Sequence, residues 1–396
     1  MSTIGIDIRL IGKKRTGDEA VFFNLVKNLA IIDKNNIYKL LTDMTDPEML
    51  KKIKNDLEIA NSSNFEIISL PTKNKFTWNF WTLPRYLRSH SNVEIYLTQY
   101  ILPFFVPSRV KLITIIHDIS FKVFPQFIKK SDLFFLNQLI PVSLKRADKI
   151  IGVSKFTRDE IIKHYKIAPE KVDWFYNAVS DDFLAQDISG EKIKSVREKY
   201  SLPEKYILYI GTLQPRKNIP TLVGAVPAAL AGRHEPPPPL RDRNIKLVIA
   251  GGKGHNYDAR IDETIEKYDL EKRIIMPGFI DEEDKAAVIA GAEIFCFPSF
   301  YEGFGIPILE AMSVGTPVIA SNIAPHREIT GEAALLFEPR DTTELARKIS
   351  EALNNNELRG KLIETGKIQS KKFSWQKTAQ KMLEIFEKVA IDKESS

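Results

Sequence analysis

Two glutamates, Glu302 and Glu310, lie eight positions apart, with a pair of glycines and Pro307 between them. The apolar run from 294 to 297, rich in β-branched and aromatic residues, predicts a buried strand just before them. Proline suits the first turn of a helix. The sequence therefore predicts a strand, a glycine loop that contains Glu302, and a helix that contains Glu310.

This arrangement can bind an anion or a sugar. The first amides of a helix are unpaired and carry the positive end of its dipole, and glycines let a ligand approach the backbone closely. A carboxylate just inside the helix, here Glu310, can accept two hydrogen bonds from a vicinal diol such as a ribose. The alternative is that Glu310 only compensates the helix dipole and that the glycines only make a turn.

Two cations follow the first predicted strand of the second half, which runs from 206 to 210. Arg216 and Lys217 would lie at the carboxyl end of a parallel strand, where ligands bind in open α/β sheets. Arginine offers a planar fork and lysine a point charge, and both would stabilise the negative charge that builds on a leaving diphosphate. An exposed basic turn that opens a helix is the alternative.

In the first half, a strand predicted from Leu112 to Ile116 runs directly into His117 and Asp118. The loop from Gly12 to Gly17 likewise separates the first predicted strand from its helix. We expect both loops to face a ligand cleft. Without the other features, a His-Asp pair after a strand is more often structural than catalytic.

The chain of 396 residues is long enough for two domains of about 180 to 200 residues each. Hydrophobic residues make up 43% and charged residues 27%, which is typical of a globular enzyme, and no apolar run approaches the roughly 18 residues that span a bilayer. The first residues lack the pattern of a signal peptide, so we expect a cytoplasmic protein. The single cysteine, Cys296, lies in a predicted buried strand, which indicates a packing thiol.

The net charge of +6 comes from 57 basic and 51 acidic residues and is spread along the chain. Such a mild excess is compatible with anionic ligands but does not select among them. The sequence contains no arginine-rich tail, zinc-finger spacing or RNP-like aromatic motif. We therefore expect no nucleic-acid partner.

Strand-like runs alternate with amphipathic helical patterns from end to end, which predicts an α/β protein with parallel sheets covered by helices. A polar stretch after Asn177 separates the two halves, and we place the linker there. A proline-rich insertion at 233–243 is predicted to be a surface loop, with a ligand for a proline-recognition domain as the alternative. The aromatic cluster at 76–81, followed by Arg85 and Arg88, is predicted to pack an amphipathic helix, with contact to a lipid surface as the alternative.

Together these features resemble the family 4 glycosyltransferases, retaining enzymes of the two-domain GT-B fold that use nucleotide sugars. The resemblance covers nearly the whole chain and is most specific at 302–310 with its flanks. Its other matches are the glycine loop near Gly17, His117-Asp118-Ile119-Ser120-Phe121, Arg146-Ala147-Asp148, Val153-Ser154, Phe156-Thr157, Asn177-Ala178-Val179, Arg216-Lys217-Asn218, Pro277-Gly278-Phe279, Gly315-Thr316-Pro317-Val318 and Ala320-Ser321.

The resemblance implies two Rossmann-like domains whose parallel sheets face a central cleft. The predicted domains are 1–183, on the acceptor side, and 184–374, which would bind the nucleotide sugar. The terminal helix at 375–396 would cross back onto the first domain. That is consistent with an apolar stripe of Met382, Ile385, Phe386 and Val389.

The resemblance also implies roles for individual residues. Arg216 and Lys217 would bind the donor diphosphate, Glu310 the ribose hydroxyls, and Glu302 the transferred sugar. His117 would lie beside that sugar, which makes His117, Glu302, Arg216 and Lys217 the predicted catalytic set. The predicted donor-binding residues are Gly17, Arg216, Lys217, Phe279, Ile280, Gly303, Phe304, Gly305, Ile306 and Glu310.

Two positions depart from the family pattern. Thr212 stands where many members have an arginine after the glycine that ends the first strand of the second domain, and Arg216 would supply the missing charge. The usual glycine-rich first loop reads Lys-Lys-Arg-Thr-Gly-Asp-Glu from 13 to 19, so its backbone contacts are not carried over apart from Gly17. The cations of this loop would suit an anionic or lipid-linked acceptor, with a solvated basic loop as the alternative.

By the same resemblance, the chain would transfer a hexose with retention to a glycan or lipid-linked acceptor, without a cofactor or an obligatory metal. Its Arg-Lys-Asn turn resembles that of bacterial mannosyl- and rhamnosyltransferases of surface polysaccharides, so GDP-mannose is the first expectation for the donor. A lipid-linked acceptor would bring the protein to the inner face of a membrane. The alternatives are a nucleotide-sugar 2-epimerase of the same architecture and a catalytically silent nucleotide-sugar-binding protein.

Overall fold

The computed structural model describes residues 1–13, 17–231, 245–254 and 256–394. Within these ranges the chain forms one seven-stranded and one six-stranded sheet, and every strand pairing is parallel. The α/β prediction is confirmed. The predicted proline-rich insertion at 233–243, and Lys14 and Arg15 of the first loop, lie outside the described residues.

The strands alternate with helices along the described chain, as the sequence pattern predicts, except that β5 follows β4 without a helix between them. The strands are β1 (Thr3–Asp7), β2 (Ile37–Thr42), β3 (Phe65–Ser69), β4 (Ile95–Gln99), β5 (Lys111–Ile116), β6 (Lys149–Gly152), β7 (Val172–Trp174), β8 (Tyr206–Ile210), β9 (Lys246–Ala250), β10 (Ile274–Gly278), β11 (Ile294–Phe297), β12 (Val318–Ser321) and β13 (Leu335–Phe337).

The helices cover both sheets. They are α1 (Gly17–Ile32), α2 (Pro47–Asp56), α3 (Lys75–Thr77), α4 (Leu83–Ser89), α5 (Ser120–Val123), α6 (Lys130–Arg146), α7 (Lys155–Tyr165), α8 (Asp181–Leu184), α9 (Gly190–Lys199), α10 (Ile219–Ala231), α11 (Arg260–Lys267), α12 (Lys285–Ala290), α13 (Ile306–Ser313), α14 (Ala324–Thr330), α15 (Thr342–Asn354), α16 (Asn356–Ser370) and α17 (Trp375–Glu394). A π-helical turn spans Trp78–Thr82, and 3-10 turns span Pro125–Phe127, Pro169–Lys171, Pro215–Lys217 and Glu282–Asp284.

Both sheets have the same strand order. The first runs β3-β2-β1-β4-β5-β6-β7 and the second β10-β9-β8-β11-β12-β13, so each is the 3-2-1-4-5-6 order of dinucleotide-binding folds, with one extra strand in the first. The direction of strand order reverses between β1 and β4 and again between β8 and β11. Ligands of such sheets bind at these switch points, at the carboxyl ends of the strands.

The chain divides into two compact units. One consists of Met1–Lys122, Ser131–Asn177 and Ser374–Ser396, and the other of Val123–Lys130 and Ala178–Phe373. The division at Asn177 and the predicted boundary at 183–184 both fall in the polar stretch that follows Asn177. The short segment Val123–Lys130 lies within the range predicted for the first domain, whereas the structure groups it with the second unit.

The polar stretch after Asn177 is itself ordered into α8 and α9. Phe183 of α8 is buried, and the Gln186 side chain donates to the Glu282 carbonyl and accepts from the Ala286 amide. These contacts fix the start of the second unit against α12. Polar composition therefore marks the position of the linker but does not indicate an unstructured one.

Side-chain caps explain where several helices begin. In each case an oxygen accepts a hydrogen bond from the backbone amide three residues later, which satisfies a donor that the helix leaves unpaired. The capping residues are Ser154, Ser180, Ser189, Asp341 and Asn355, at α7, α8, α9, α15 and α16.

The central strands are buried on both faces because helices cover each sheet, so they read as continuous apolar runs. All residues of β1 and β11 are buried. Cys296 of β11 is one of them, and burial raises the pKa of its thiol. The prediction of a packing thiol is confirmed. No described helix combines the length and apolar character needed to span a bilayer.

The terminal helix α17 packs against α1 within the first unit. Its predicted apolar stripe is buried, with Met382 and Ile385 at 0% exposure, Phe386 at 2% and Val389 at 4%. This stripe attaches the last segment of the chain to the first unit.

We expect Phe386→Ala to lower the free energy of unfolding of the first unit by about 3 to 5 kcal/mol, because it removes a buried aromatic ring and leaves a cavity. Ile391→Ala on the same helix is the control, since Ile391 is 62% exposed and should change stability by less than about 0.5 kcal/mol. Urea unfolding followed by tryptophan fluorescence measures both. Equal losses would contradict the assigned packing face.

Candidate active site

The site predicted in the second half forms at the switch point between β8 and β11. The 3-10 turn Pro215–Lys217 follows β8, and Asn218 then adopts a left-handed conformation with φ of 57°. The Asn218 side-chain amide donates to the Pro298 carbonyl over 2.9 Å, and the Phe300 backbone amide donates to the Arg216 carbonyl over 2.8 Å. These bonds join the loop after β8 to the loop after β11.

Glu302, in the loop after β11, accepts hydrogen bonds from both cations of the loop after β8. Its Oε1 lies 2.5 Å from Lys217 Nζ, and its Oε2 lies 3.0 Å from Arg216 Nη1. The Ser299 hydroxyl also donates to Oε1 over 2.6 Å. The structure thus brings together three of the four residues of the predicted catalytic set.

This cluster is buried, with Glu302 7% and Lys217 8% exposed. Burial alone would raise the pKa of Glu302, but the charges of Lys217 and Arg216 and their hydrogen bonds outweigh it and lower that pKa to about 2. Glu302 is therefore ionised at neutral pH. Two cations against one carboxylate (2 − 1) leave one unit of positive charge.

His326, at the start of α14, lies in the same buried region, and the sequence analysis did not identify it. Its Nδ1 is 3.0 Å from the Ser321 carbonyl oxygen, which can only accept, so Nδ1 carries the proton. Burial lowers the pKa of His326 to about 4. A neutral imidazole therefore adds no charge to the cluster at neutral pH.

The glycine loop and the start of α13 have the predicted geometry. Gly305 occupies the cap position with φ of 124°, and a Cβ there would come within 3.1 Å of the Ile329 side chain. Only glycine fits this conformation and this space. Gly305 has no side chain that could cover the first amides of α13. An anion site requires that a ligand can approach these amides.

Glu310 lies in α13 as predicted and is 5% exposed. Its Oε1 accepts from Lys285 Nζ over 2.6 Å, and Lys285 is the first residue of α12. The sequence analysis missed this lysine. The ion pair holds the Glu310 carboxylate in one orientation.

The other predicted donor-binding residues have different surroundings. Phe279, just after β10, is 57% exposed, whereas the neighbouring Ile280 is buried. Phe304 is buried with its ring edge-on to Phe373, so its ring packs within the second unit. Gly303 directly precedes Phe304, and Ile306 is the first residue of α13.

The segment Val123–Lys130 adds an aromatic layer to the site of the second unit. The Phe127 ring stacks on Phe300 with centroids 5.8 Å apart, and the Phe124 ring meets Tyr301 edge-on at the same distance. The Asn256 side-chain amide donates to the Phe127 carbonyl over 2.7 Å. These contacts support the two residues that immediately precede Glu302.

In the first unit, His117 directly follows β5 as predicted and is 7% exposed. Its Nε2 lies 2.7 Å from Gln99 Oε1 at the end of β4, so Nε2 carries the proton. Its Nδ1 is 3.7 Å from Asp18 Oδ1, in the first turn of α1. Gly17 is the first residue of that helix, and no neighbouring atom lies within 4 Å of the place where its Cβ would be.

Two of the residues that were missed are distant in sequence from their partners. Lys285 precedes Glu310 by a helix, a strand and a loop, and Gln99 precedes His117 by a loop and a strand. His326 and Ser299 are near theirs, since His326 follows Ser321 by five positions and Ser299 lies three positions before Glu302 on the same loop. The polar side chain of Ser299 at that spacing is a signal by which the sequence could have indicated it.

Two family models match this chain in succession. Residues 40–183 match the family described as Glycosyltransferase Family 4, and residues 192–369 match Glycosyl transferases group 1. The second match contains the Arg216, Lys217 and Glu302 cluster together with Glu310. The epimerase alternative finds no support in these or the following comparisons.

Two proteins similar to this chain are named mannosyltransferases, and a third was solved with a nucleotide sugar. The O-antigen chain mannosyltransferase B of Escherichia coli is 29% identical over 367 residues, which cover 91% of this chain and 93% of that protein. The serotype-specific mannosyltransferase WbdA of E. coli is 34% identical over 257 residues, which cover 64% of this chain but 30% of WbdA. The crystal structure of Anabaena HepE in complex with UDP-glucose superposes with a TM-score of 0.72 at 17% identity, covering 98% of this chain and all of HepE. This superposition bears out the GT-B fold.

The depressed pKa of Glu302 predicts a specific acid dependence. A carboxylate whose pKa is about 2 when folded and about 4.5 when unfolded contributes stability above pH 4.5, and this contribution is lost as the pH falls through 2. We therefore expect Glu302→Gln to be less stable than wild type at pH 6, by on the order of 3 kcal/mol, and this difference to shrink between pH 4.5 and 2.

Melting temperatures measured across that pH range test the acid dependence. Glu332→Gln is the matched control, because Glu332 is exposed and its replacement should leave the wild-type pH profile intact. A difference between Glu302→Gln and wild type that stays constant from pH 6 to 2 would contradict the described ion pairs.

Proposed function

We propose a function for this chain on the premise that it belongs to the family 4 glycosyltransferases. We propose that it moves a hexose, with mannose from GDP-mannose as the first candidate, to a hydroxyl of a glycan or lipid-linked acceptor, with retention at the sugar carbon. The observation that carries this proposal is the buried Arg216, Lys217 and Glu302 cluster at the carboxyl ends of β8 and β11.

The cluster suits a diphosphate because it holds two cations in place before a ligand arrives. Glu302 fixes both side chains, so little reorganisation is needed when charge develops on the leaving group. The remaining unit of positive charge favours an anion, and the first amides of α13 lie on the same loop. Burial strengthens each of these interactions relative to water.

In the proposed reaction the bond between the sugar carbon and the diphosphate oxygen breaks, and the acceptor oxygen bonds to the same carbon from the same face. The acceptor hydroxyl gives its proton to an oxygen of the leaving diphosphate. Arg216 and Lys217 stabilise the charge on that leaving group. The proposal includes no cofactor and no obligatory metal, since these cations do the work that a metal would do.

Glu310 and Lys285 are proposed to bind the nucleoside. A carboxylate can accept from both hydroxyls of a ribose, and the Lys285 ion pair keeps Glu310 oriented for this. The buried Ile280 and the exposed Phe279 follow β10, where main-chain groups can border a nucleobase. His117, oriented by Gln99, is assigned to the transferred sugar by the family resemblance.

The identity of the donor sugar and nucleotide is the most specific part of the proposal. Mannose is supported by the names of the E. coli relatives, both of them mannosyltransferases. HepE binds UDP-glucose, which supports a nucleotide sugar in general and leaves the base and the hexose to be tested. A catalytically silent nucleotide-sugar-binding protein is the second candidate, because the first loop differs from the family pattern.

We expect Lys217→Ala to lower hexose transfer at least about a hundredfold, because it removes one charge that stabilises the leaving diphosphate. Transfer is measured with EDTA present, which also tests the absence of an obligatory metal. Lys217→Arg retains the charge and should keep more activity, while Lys267→Ala, an exposed lysine on α11, is the control. Near-normal turnover of a folded Lys217→Ala would refute the assigned role.

We expect Glu310→Ala to weaken donor binding rather than the chemical step, because ribose contacts persist throughout the reaction. Thermal stability with GDP, UDP, dTDP, ADP and their sugars identifies the donor, since a ligand at about 100 times its Kd adds roughly 2.7 kcal/mol. The shift given by one nucleotide in wild type should be lost in Glu310→Ala. An unchanged shift would assign Glu310 another task, and binding without turnover across a panel of acceptors would favour the silent protein.

A further inference from the structure

Five exposed aromatic side chains lie together on the first unit. They are Phe76, Trp81, Phe105, Phe134 and Phe135, each between 41% and 67% exposed, and we call this group the aromatic surface. Monomeric proteins usually scatter such side chains singly. Five such side chains in neighbouring elements of one unit indicate a surface that contacts something other than water.

Ring contacts join the members of the aromatic surface into two groups, one with Phe76 and one with Trp81. Phe135 of α6 meets Phe76 of α3 at 5.8 Å between ring centroids and meets Phe134 edge-on at the same distance. Phe80 joins Trp81 to Phe105, with centroids 5.7 Å and 6.4 Å away. The π-helical turn Trp78–Thr82 carries Phe80 and Trp81 and directly follows α3, which carries Phe76. One short helical segment therefore bears members of both ring groups.

The ring group that contains Trp81 and Phe105 packs on ordered side chains of the first unit. Phe80 stacks on Phe104 with centroids 4.3 Å apart, and the Arg146 guanidinium lies 5.2 Å from the centre of the Phe104 ring. Arg88 donates to the Phe105 carbonyl over 3.0 Å. The exposed rings therefore pack against ordered neighbours, and their exposure is a property of the folded unit.

Four exposed cations lie close to the aromatic surface along the chain. Lys73, Lys75, Arg85 and Arg88 are all exposed, and Lys75 Nζ lies 5.7 Å from the centre of the Phe76 ring. Between residues 67 and 117 the sequence contains one carboxylate, Glu94. Glu94 precedes β4, whereas the aromatic residues follow β3, β4 and β5, so it lies at the opposite edge of the parallel sheet. Asp132 of α6 is the acidic residue nearest the surface along the chain.

We propose that the aromatic surface docks this protein on an anionic lipid bilayer. Tryptophan and phenylalanine partition into the boundary between headgroups and acyl chains, and lysine and arginine around them attract acidic headgroups. The docking is peripheral. It places the carboxyl edge of the first sheet, the edge where such sheets bind ligands, next to the lipid.

Charge favours a bilayer over a second copy of this chain. In a two-fold dimer the same patch meets itself, so the four cations of each copy would face those of the other. An anionic bilayer instead complements all of them. This inference goes beyond the proposed function, because lipid docking depends neither on the donor nor on the reaction.

Co-sedimentation of the purified full-length protein with vesicles tests the docking. We expect binding to vesicles of phosphatidylcholine mixed with phosphatidylglycerol, weak binding to phosphatidylcholine alone, and release by high salt. The double variant Trp81→Ser with Phe105→Ser should bind the mixed vesicles at least about tenfold more weakly. Tyr268→Ser, which removes an exposed aromatic side chain from the second unit, should bind as wild type does.

A second pair of variants separates charge from apolar contact. Lys73→Gln with Lys75→Gln should lose several-fold in binding to the anionic vesicles, whereas Lys51→Gln with Lys52→Gln, two exposed lysines of α2, should not. Melting temperature and nucleotide-induced stabilisation confirm that each variant is folded, independently of lipid. Absence of vesicle binding by wild type, or equal binding by all variants, would overturn the proposal. So would a dimer in solution that Trp81→Ser dissociates, because it would assign the surface to a second copy.

Discussion

The site depends on one interaction, the contact of the buried Glu302 carboxylate with Lys217 and Arg216. A lone ion of either sign would be expensive to bury, so each partner is tolerated in the interior only because the others are present. The same contact draws the loop after β8 and the loop after β11 together at the switch point of the second sheet. The positions of the cations, of the glycine loop and of the start of α13 all follow from it.

A buried ion pair of this kind contributes little net stability compared with apolar side chains of similar volume. What it provides is a fixed arrangement of charge. Two cations held on one carboxylate retain a net positive charge, and hydrogen bonds from the Asn218 side chain and from the Phe300 backbone amide join the two loops. The neutral His326 and the left-handed Gly305 complete a preorganised site that can stabilise charge developing on a diphosphate.

Much of this could be predicted from the sequence, because strand runs are continuous apolar segments and parallel strands bring the residues that follow them to one edge. This logic predicts that Arg216, Lys217 and Glu302 all follow strands of the second sheet and lie at its carboxyl edge. It could not pair Glu310 with Lys285, or His117 with Gln99, since those contacts depend on which strands and helices become neighbours. It also could not assign Val123–Lys130 to the second unit, because that depends on stacking with residues of a distant loop.

The central claim is that the Glu302, Lys217 and Arg216 cluster binds the diphosphate of a donor nucleotide. Calorimetric titration of wild type with GDP and with GMP tests it most directly, because the two ligands differ by one phosphate. A charge-assisted contact to that phosphate predicts that GDP binds at least about tenfold more tightly than GMP, and that this preference disappears in Lys217→Ala. Equal affinities for GDP and GMP in the wild-type protein, with binding present, would contradict the account.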